Sequence, residues 1–103
     1  MNKYRRKAIM MLEHHLELLS MDFSEDYLHT CIGMLEDIKS EEEDAFDNMP
    51  ENLQSSVRGM ESEEAIDMLE EALGYLEEIL GLEDEEEIDE NIMAAMSCLE
   101  DIC

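Results

Sequence analysis

The chain is short, 103 residues, and sets thirty acidic residues against six basic ones for a formal net charge of −24. Hydrophobic residues make up 45%, too many for an intrinsically disordered polyanion. Such a field repels nucleic acid and anionic membrane, favours basic proteins or cations, and goes well past the net charge of about 2–8 that keeps a small domain soluble.

The apolar set is Leu, Ile, Met and Ala with no Trp and one Val, a palette suited to helices rather than strands. One all-α domain over residues 1–103 is expected, a small antiparallel helical bundle of about four helices, or two helical hairpins. In the first helix, Tyr4, Ala8, Met11, Leu12, Leu16 and Leu19 recur at steps of three and four, the mark of an amphipathic face. Its opening turn carries Lys3, Arg5, Arg6 and Lys7; beyond residue 8 only Lys39 and Arg58 are basic, against all thirty acids. The KYRRK patch is expected to fold back onto acids of its own or a neighbouring chain.

Residues 20–24 form a break, and Ser24 is placed to cap a second helix. That helix is marked by Leu28, Cys31, Ile32, Leu35, Ile38, Ala45 and Met49, with Glu42 standing where an apolar residue is expected. Pro50 disfavours helical geometry at Met49 and lacks a donor, so the second helix should end near Asn48. The turn PENLQ follows, and Ser55 or Ser56 caps the next helix. Leu53 and Val57 are expected to hold this corner to the body, and Arg58 to pair with acids at the adjoining helix ends.

The third helix carries Ala65, Ile66, Leu69, Ala72, Leu73, Leu76, Ile79 and Leu80 in a near-heptad seam. Gly81 stands where a C-capping glycine belongs. A last helix from about Asp84 to Cys103 shows Ile88, Ile92, Met96, Leu99 and Ile102, with acids in its first turn where the helix dipole favours them.

Chemistry-bearing patterns are sparse. His14 and His15 point about 100° apart on a helix and cannot share one ion. Neither CxxC nor HExxH occurs, and the three cysteines are an odd number at irregular positions, so no zinc site and no disulfide framework is expected. The run EDEEEIDEN lacks the glycine of a calcium loop. There is no GxSxG and no phosphate-cradling loop. No catalytic residue, metal or cofactor is assigned. With no apolar run near 18 residues nothing should span a bilayer, and the reduced cysteines point to a cytoplasmic setting.

The acids are organised more than charge alone requires. On the third helix Glu63, Glu64, Asp67, Glu70, Glu71, Glu77 and Glu78 share the face opposite the seam, interrupted only at Gly74. Seven charges over roughly 22 Å give about one per 3 Å, against one per ~1.7 Å of duplex DNA. Glu36, Asp37, Glu41, Glu42, Glu43, Asp44 and Asp47 on the second helix supply a second face. Each like-charge pair at i,i+3 or i,i+4 costs a few tenths of a kcal/mol. A solvated face is the plainer explanation; a surface built for a cationic partner is the other.

KYRRKAI, followed by EEEDAFDNMPENLQSSVRGMESEEAIDMLEEALGYLEEIL, resembles small acidic helical proteins encoded in phages and prophages of Gram-positive bacteria. The likeness covers about residues 3–9 and 41–80 and is carried by a DNMPExLQxSxRG-like bend. The chain departs from the pattern in its extra helical sequence between residues 13 and 38 and in Val57, where an acid is usual. Activities in that family are largely unassigned. Small acidic phage proteins are often similar to inhibitors of host nucleic-acid enzymes, including anti-CRISPR and anti-restriction proteins that imitate DNA. The resemblance therefore implies a non-enzymatic inhibitor presenting its acidic face to a basic surface such as the nucleic-acid channel of a nuclease, with no direct binding to nucleic acid or membrane. In that reading Asn48, Pro50, Asn52, Gln54 and Arg58 form either a recognition corner or a structural bend. The alternative is a self-associating adaptor or scaffold, a homo-oligomer joined through the seam of the third helix.

Overall fold

Each long helix begins where the sequence supplies an oxygen to an amide that would otherwise lack a partner. The computed structural model describes residues 2–102. Asn2 Oδ1 accepts from Arg5 N at 2.9 Å and opens α1 (Lys3–Met21). Ser24 Oγ accepts from Tyr27 N at 3.3 Å and opens α2 (Glu25–Asp47). A single turn, α3 (Glu51–Gln54), follows Pro50. Ser56 Oγ accepts from Gly59 N at 3.4 Å ahead of α4 (Val57–Ile79). Asp84 Oδ1 accepts from Glu86 N at 2.9 Å ahead of α5 (Glu85–Ile102). The expected start of the last helix at Asp84 thus moves by one residue, because Asp84 serves as the cap. Cys103 lies outside the described residues.

The all-helical class holds among the described residues. α1 packs on α2 and α5, and both of these also pack on α4, so α1 and α4 sit across the core from each other. The body measures 47 × 20 × 18 Å. Ile9, Leu12, Leu16 and Leu19 of α1, Leu28 and Leu35 of α2, Leu69 and Leu76 of α4, and Ile92 and Leu99 of α5 are fully buried. Burial of each such side chain is worth about 1.5–3 kcal/mol. The near-heptad seam of α4 is spent here: Leu69, Ala72, Leu76 and Ile79 face the chain's own core, so this seam is not free to join copies.

Three expectations give way. Tyr4 is 82% and Met11 54% exposed; the inward stripe of α1 runs through Ile9 instead, and its first turn points Arg5, not Tyr4, toward the body. Leu53 and Val57 are exposed as well, so they do not hold the bend. Gly81 follows α4 but is not left-handed. The last turn closes instead through bonds from Leu80 N to Glu77 O, Gly81 N to Glu78 O and Leu82 N to Ile79 O, at 3.0–3.1 Å, the tight i→i+3 pattern that ends many helices.

Polar ties fix the helices at their ends and flanks. Ser20 Oγ donates to Asp89 Oδ1 at 2.9 Å, joining the end of α1 to the start of α5. Asn91 Nδ2 donates to Tyr75 O at 3.0 Å, joining α5 to α4. His15 Nδ1 lies 2.7 Å from the Tyr27 hydroxyl, joining α1 to α2.

Candidate partner-binding surface

Helical phase alone decides where the α4 acids point. With the core stripe of α4 facing inward, residues half a turn away must face solvent, and Glu63, Glu64, Asp67, Glu70, Glu71, Glu77 and Glu78 are all exposed. None of the seven has a cationic side chain within salt-bridge distance among the described residues; the ion pairs there join Arg5 to Glu42, His29 to Glu25 and Lys39 to Glu43. One edge of the row is hollowed. Glu64 and Asp67 line a cavity of about 500 Å³ together with Glu61, Met68, Asp101 and Arg6.

The α2 acids do not behave as one face. Glu36, Asp37, Glu41, Asp44 and Asp47 are exposed, and Glu43 is half-buried beside Lys39 Nζ at 3.6 Å. Asp37 and Glu41 border a groove of about 550 Å³ with Ala8 and Met11, which places them on the α1 flank of the helix. Glu36, Glu43 and Asp47, at steps of seven and four, follow a separate line roughly a third of a turn away. α2 and α4 pack directly on each other, so the two acid-bearing helices are neighbours, but only part of the α2 set shares the outlook of α4.

Glu42 is a correction. It was expected in the acidic surface, yet it is 1% exposed. Arg5 Nε donates to its Oε1 at 3.3 Å, and the buried hydroxyl of Ser62 donates to its Oε2 at 3.3 Å. A buried carboxylate persists only when charge and hydrogen bonds are returned to it, and here α1 and α4 return both to α2. The signal was present in the sequence, since Glu42 occupied an apolar position of the α2 pattern. Arg5, the most buried member of the basic patch, accordingly folds back onto an acid of its own chain.

The bend residues divide between structure and surface. Gln54 Nε2 donates to Phe46 O at 2.9 Å and fastens α3 to the end of α2. Asn48 closes α2 through its own amide, which donates to Asp44 O at 3.0 Å. Pro50 sets the entry to α3, accepting from Leu53 N at 2.9 Å. The Ser56 hydroxyl also donates to Leu53 O. Gly59 is buried, and a Cβ there would overlap the Gln54 carbonyl, so glycine is required by the close crossing of two backbones. Asn52 and Arg58 are exposed. No ion pair engages Arg58 among the described residues, so the pairing expected with acids at the adjoining helix ends is not formed.

Titratable groups elsewhere report crowding. Burial raises the Glu13 carboxyl above its ordinary value, with further increments from Glu100 of α5 and Glu17. Burial pushes the Cys31 thiol up to about 11. Cys98 is also raised, by burial first and then by Glu71 and Asp101, so both thiols stay protonated at neutral pH. Among the described residues no three His, Cys, Asp or Glu side chains are grouped to hold a metal ion, and no helix is long and apolar enough to cross a membrane.

No family model matches the chain, and neither a curated protein nor a solved structure is detectably similar to it.

Proposed function

We propose that this is a phage-encoded, non-enzymatic binding protein of the host cytoplasm that presents α4 and the outer line of α2 to a basic nucleic-acid channel on a host defence protein, as an inhibitor of anti-CRISPR or anti-restriction type. The scaffold in this reading is an antiparallel bundle. That arrangement is supported by short connections between α1 and α2 and between α4 and α5, and by ties that each join the beginning of one helix to the end of another.

The observation that carries the reading is the α4 row: seven exposed carboxylates on one helix without a cationic partner among the described residues. Their mutual repulsion is carried in the free protein and relieved when a cationic surface docks. A channel built for a phosphate backbone offers such a surface, and binding there is dominated by charge. Partial mimicry suffices, since the α2 line adds Glu36, Glu43 and Asp47 beside the α4 row.

The test is displacement of labelled duplex DNA from a purified nuclease effector. The protein should release the DNA at low salt and lose that ability as salt rises. A variant with Glu63, Glu70 and Glu77 changed to Gln should compete at least about tenfold less well. Binding that proceeds equally on effector already loaded with DNA rules the reading out.

A further inference from the structure

One helix leaves a set of apolar side chains outside. The exposed side of α1 displays Tyr4, Met10, Met11, Leu18 and Met21, and of the eleven large hydrophobic side chains left exposed among the described residues, six lie between residues 4 and 23. Met11 borders two hollows at once, the groove shared with Met34 of α2 and rimmed by Asp37 and Glu41, and a smaller one of about 350 Å³ with Lys7, Met10 and His14. No acid occurs between Lys3 and Leu12. Exposed apolar side chains gathered on one helix face and rimmed by charge mark an interface, and methionine is the side chain that repacks most readily against one.

Charge complementarity selects the occupant. The first turns of α1 carry Lys3, Arg6 and Lys7, all exposed, while its far end carries Glu17 and is followed by Asp22, both exposed. Two copies laid side by side in opposite directions bring the basic end of each against the acidic end of the other, with Met10, Met11 and His14 at the centre. The contact is isologous, as a closed two-fold dimer requires. A parallel pairing would set basic end on basic end. We infer that the outer face of α1 is a self-association surface on which a second copy of this chain docks its own α1 antiparallel. A seam of 19 residues is about 28 Å long, which places the dimer in the small, reversible class of interfaces. α1 packs on α2 and α5 rather than along α4; Arg6 borders only the Glu64 and Asp67 end of the α4 row, and the inference stands or falls apart from what that row binds.

Sedimentation velocity over a concentration series tests it. The dimer should tighten as salt rises from about 0.05 M to about 0.5 M, because screening relieves repulsion between two strongly negative bodies; the acidic-surface complex proposed above weakens over the same range. Met10→Gln with Met11→Gln should weaken self-association at least about tenfold. The decisive pair reverses one end at a time. K3E/K7E makes both ends of α1 acidic, and E17K/D22K makes both ends basic. Each alone should sediment as a monomer, and an equimolar mixture should recover the dimer although both variants stay strongly negative overall. All four positions are exposed, and circular dichroism checks that the helices persist. A wild-type monomer at every concentration and salt, or end-reversed variants that dimerise alone as well as the wild type, overturns the inference; so does a partner other than itself as the sole occupant of this face.

Discussion

Glu42 and Glu70 are the same residue on neighbouring helices, and the fold treats them oppositely. Glu42 is enclosed where α1, α2 and α4 meet, held by Arg5 and Ser62. Glu70 stands in solvent within a row of its own kind. The first is a structural charge whose value lies in what it ties together; the second is a surface charge whose cost is left standing in the free protein. Counting acids cannot separate the two. Burial can, and so can removal of each group in turn.

The largest effect should come from Glu42→Ala, which leaves Arg5 and Ser62 without their acceptor in a closed site. Urea denaturation should show a loss of about 3 kcal/mol, while Arg5→Met combined with Glu42→Leu should recover most of it, because the cost lies in the unpaired partner. A harmless Glu42→Ala would place this acid with Glu70 and erase the contrast. Next comes Gly59→Ala, which drives a methyl group into the Gln54 carbonyl at the bend and shifts the start of α4, with Ser62, away from Glu42. A loss of about 1–3 kcal/mol is expected, together with weakened exchange protection near Phe46.

Glu13 sharpens the comparison from between the extremes. Its carboxyl is raised by partial burial and then by Glu100 and Glu17. A raised carboxyl favours its protonated form in the folded protein, so its contribution to stability is fully present below the ordinary value and lost as pH climbs through the folded one. Glu13→Gln should therefore raise the melting temperature at pH 7 and leave it nearly unchanged at pH 3. The smallest effect belongs to Arg58→Ala. With no ion pair to lose among the described residues, its stability should stay within about 0.5 kcal/mol of the wild type; competition for a partner at the bend is the measurement that can still register the change.

Much of the fold was legible because periodicity and punctuation agree. Ser24, Pro50 and Ser56 mark boundaries by local backbone chemistry that no tertiary contact needs to supply, and the α4 stripe runs unbroken through Leu69 and Leu76. α1 was misphased for an identifiable reason. It carries apolar residues on both faces, so Tyr4 and Met11 form as regular a series as Ile9, and only the neighbours decide which series turns inward. The α4 acids were correctly placed on the exposed face by phase alone. Glu42 was not, since a sequence pattern registers an acid in an apolar slot but not the arginine that meets it from 37 residues away. Leu53 and Val57 illustrate the converse: the corner is held by Gln54 and by the bare backbone at Gly59, so its exposed hydrophobic side chains are free of that duty.

The hydrogen bond from Ser20 to Asp89 spans 69 positions along the chain and lies where the first and last helices close the circuit of packing. Docking of α5 against α1 is therefore expected to follow the hairpins, since the entropic cost of closing so long a loop is offset only after they exist. Until it happens, the core shared by the two hairpins stays open, and the carboxylate rows sit on a frame that has not stiffened. Whatever meets those rows, they gain a rigid frame only once α5 has closed against α1.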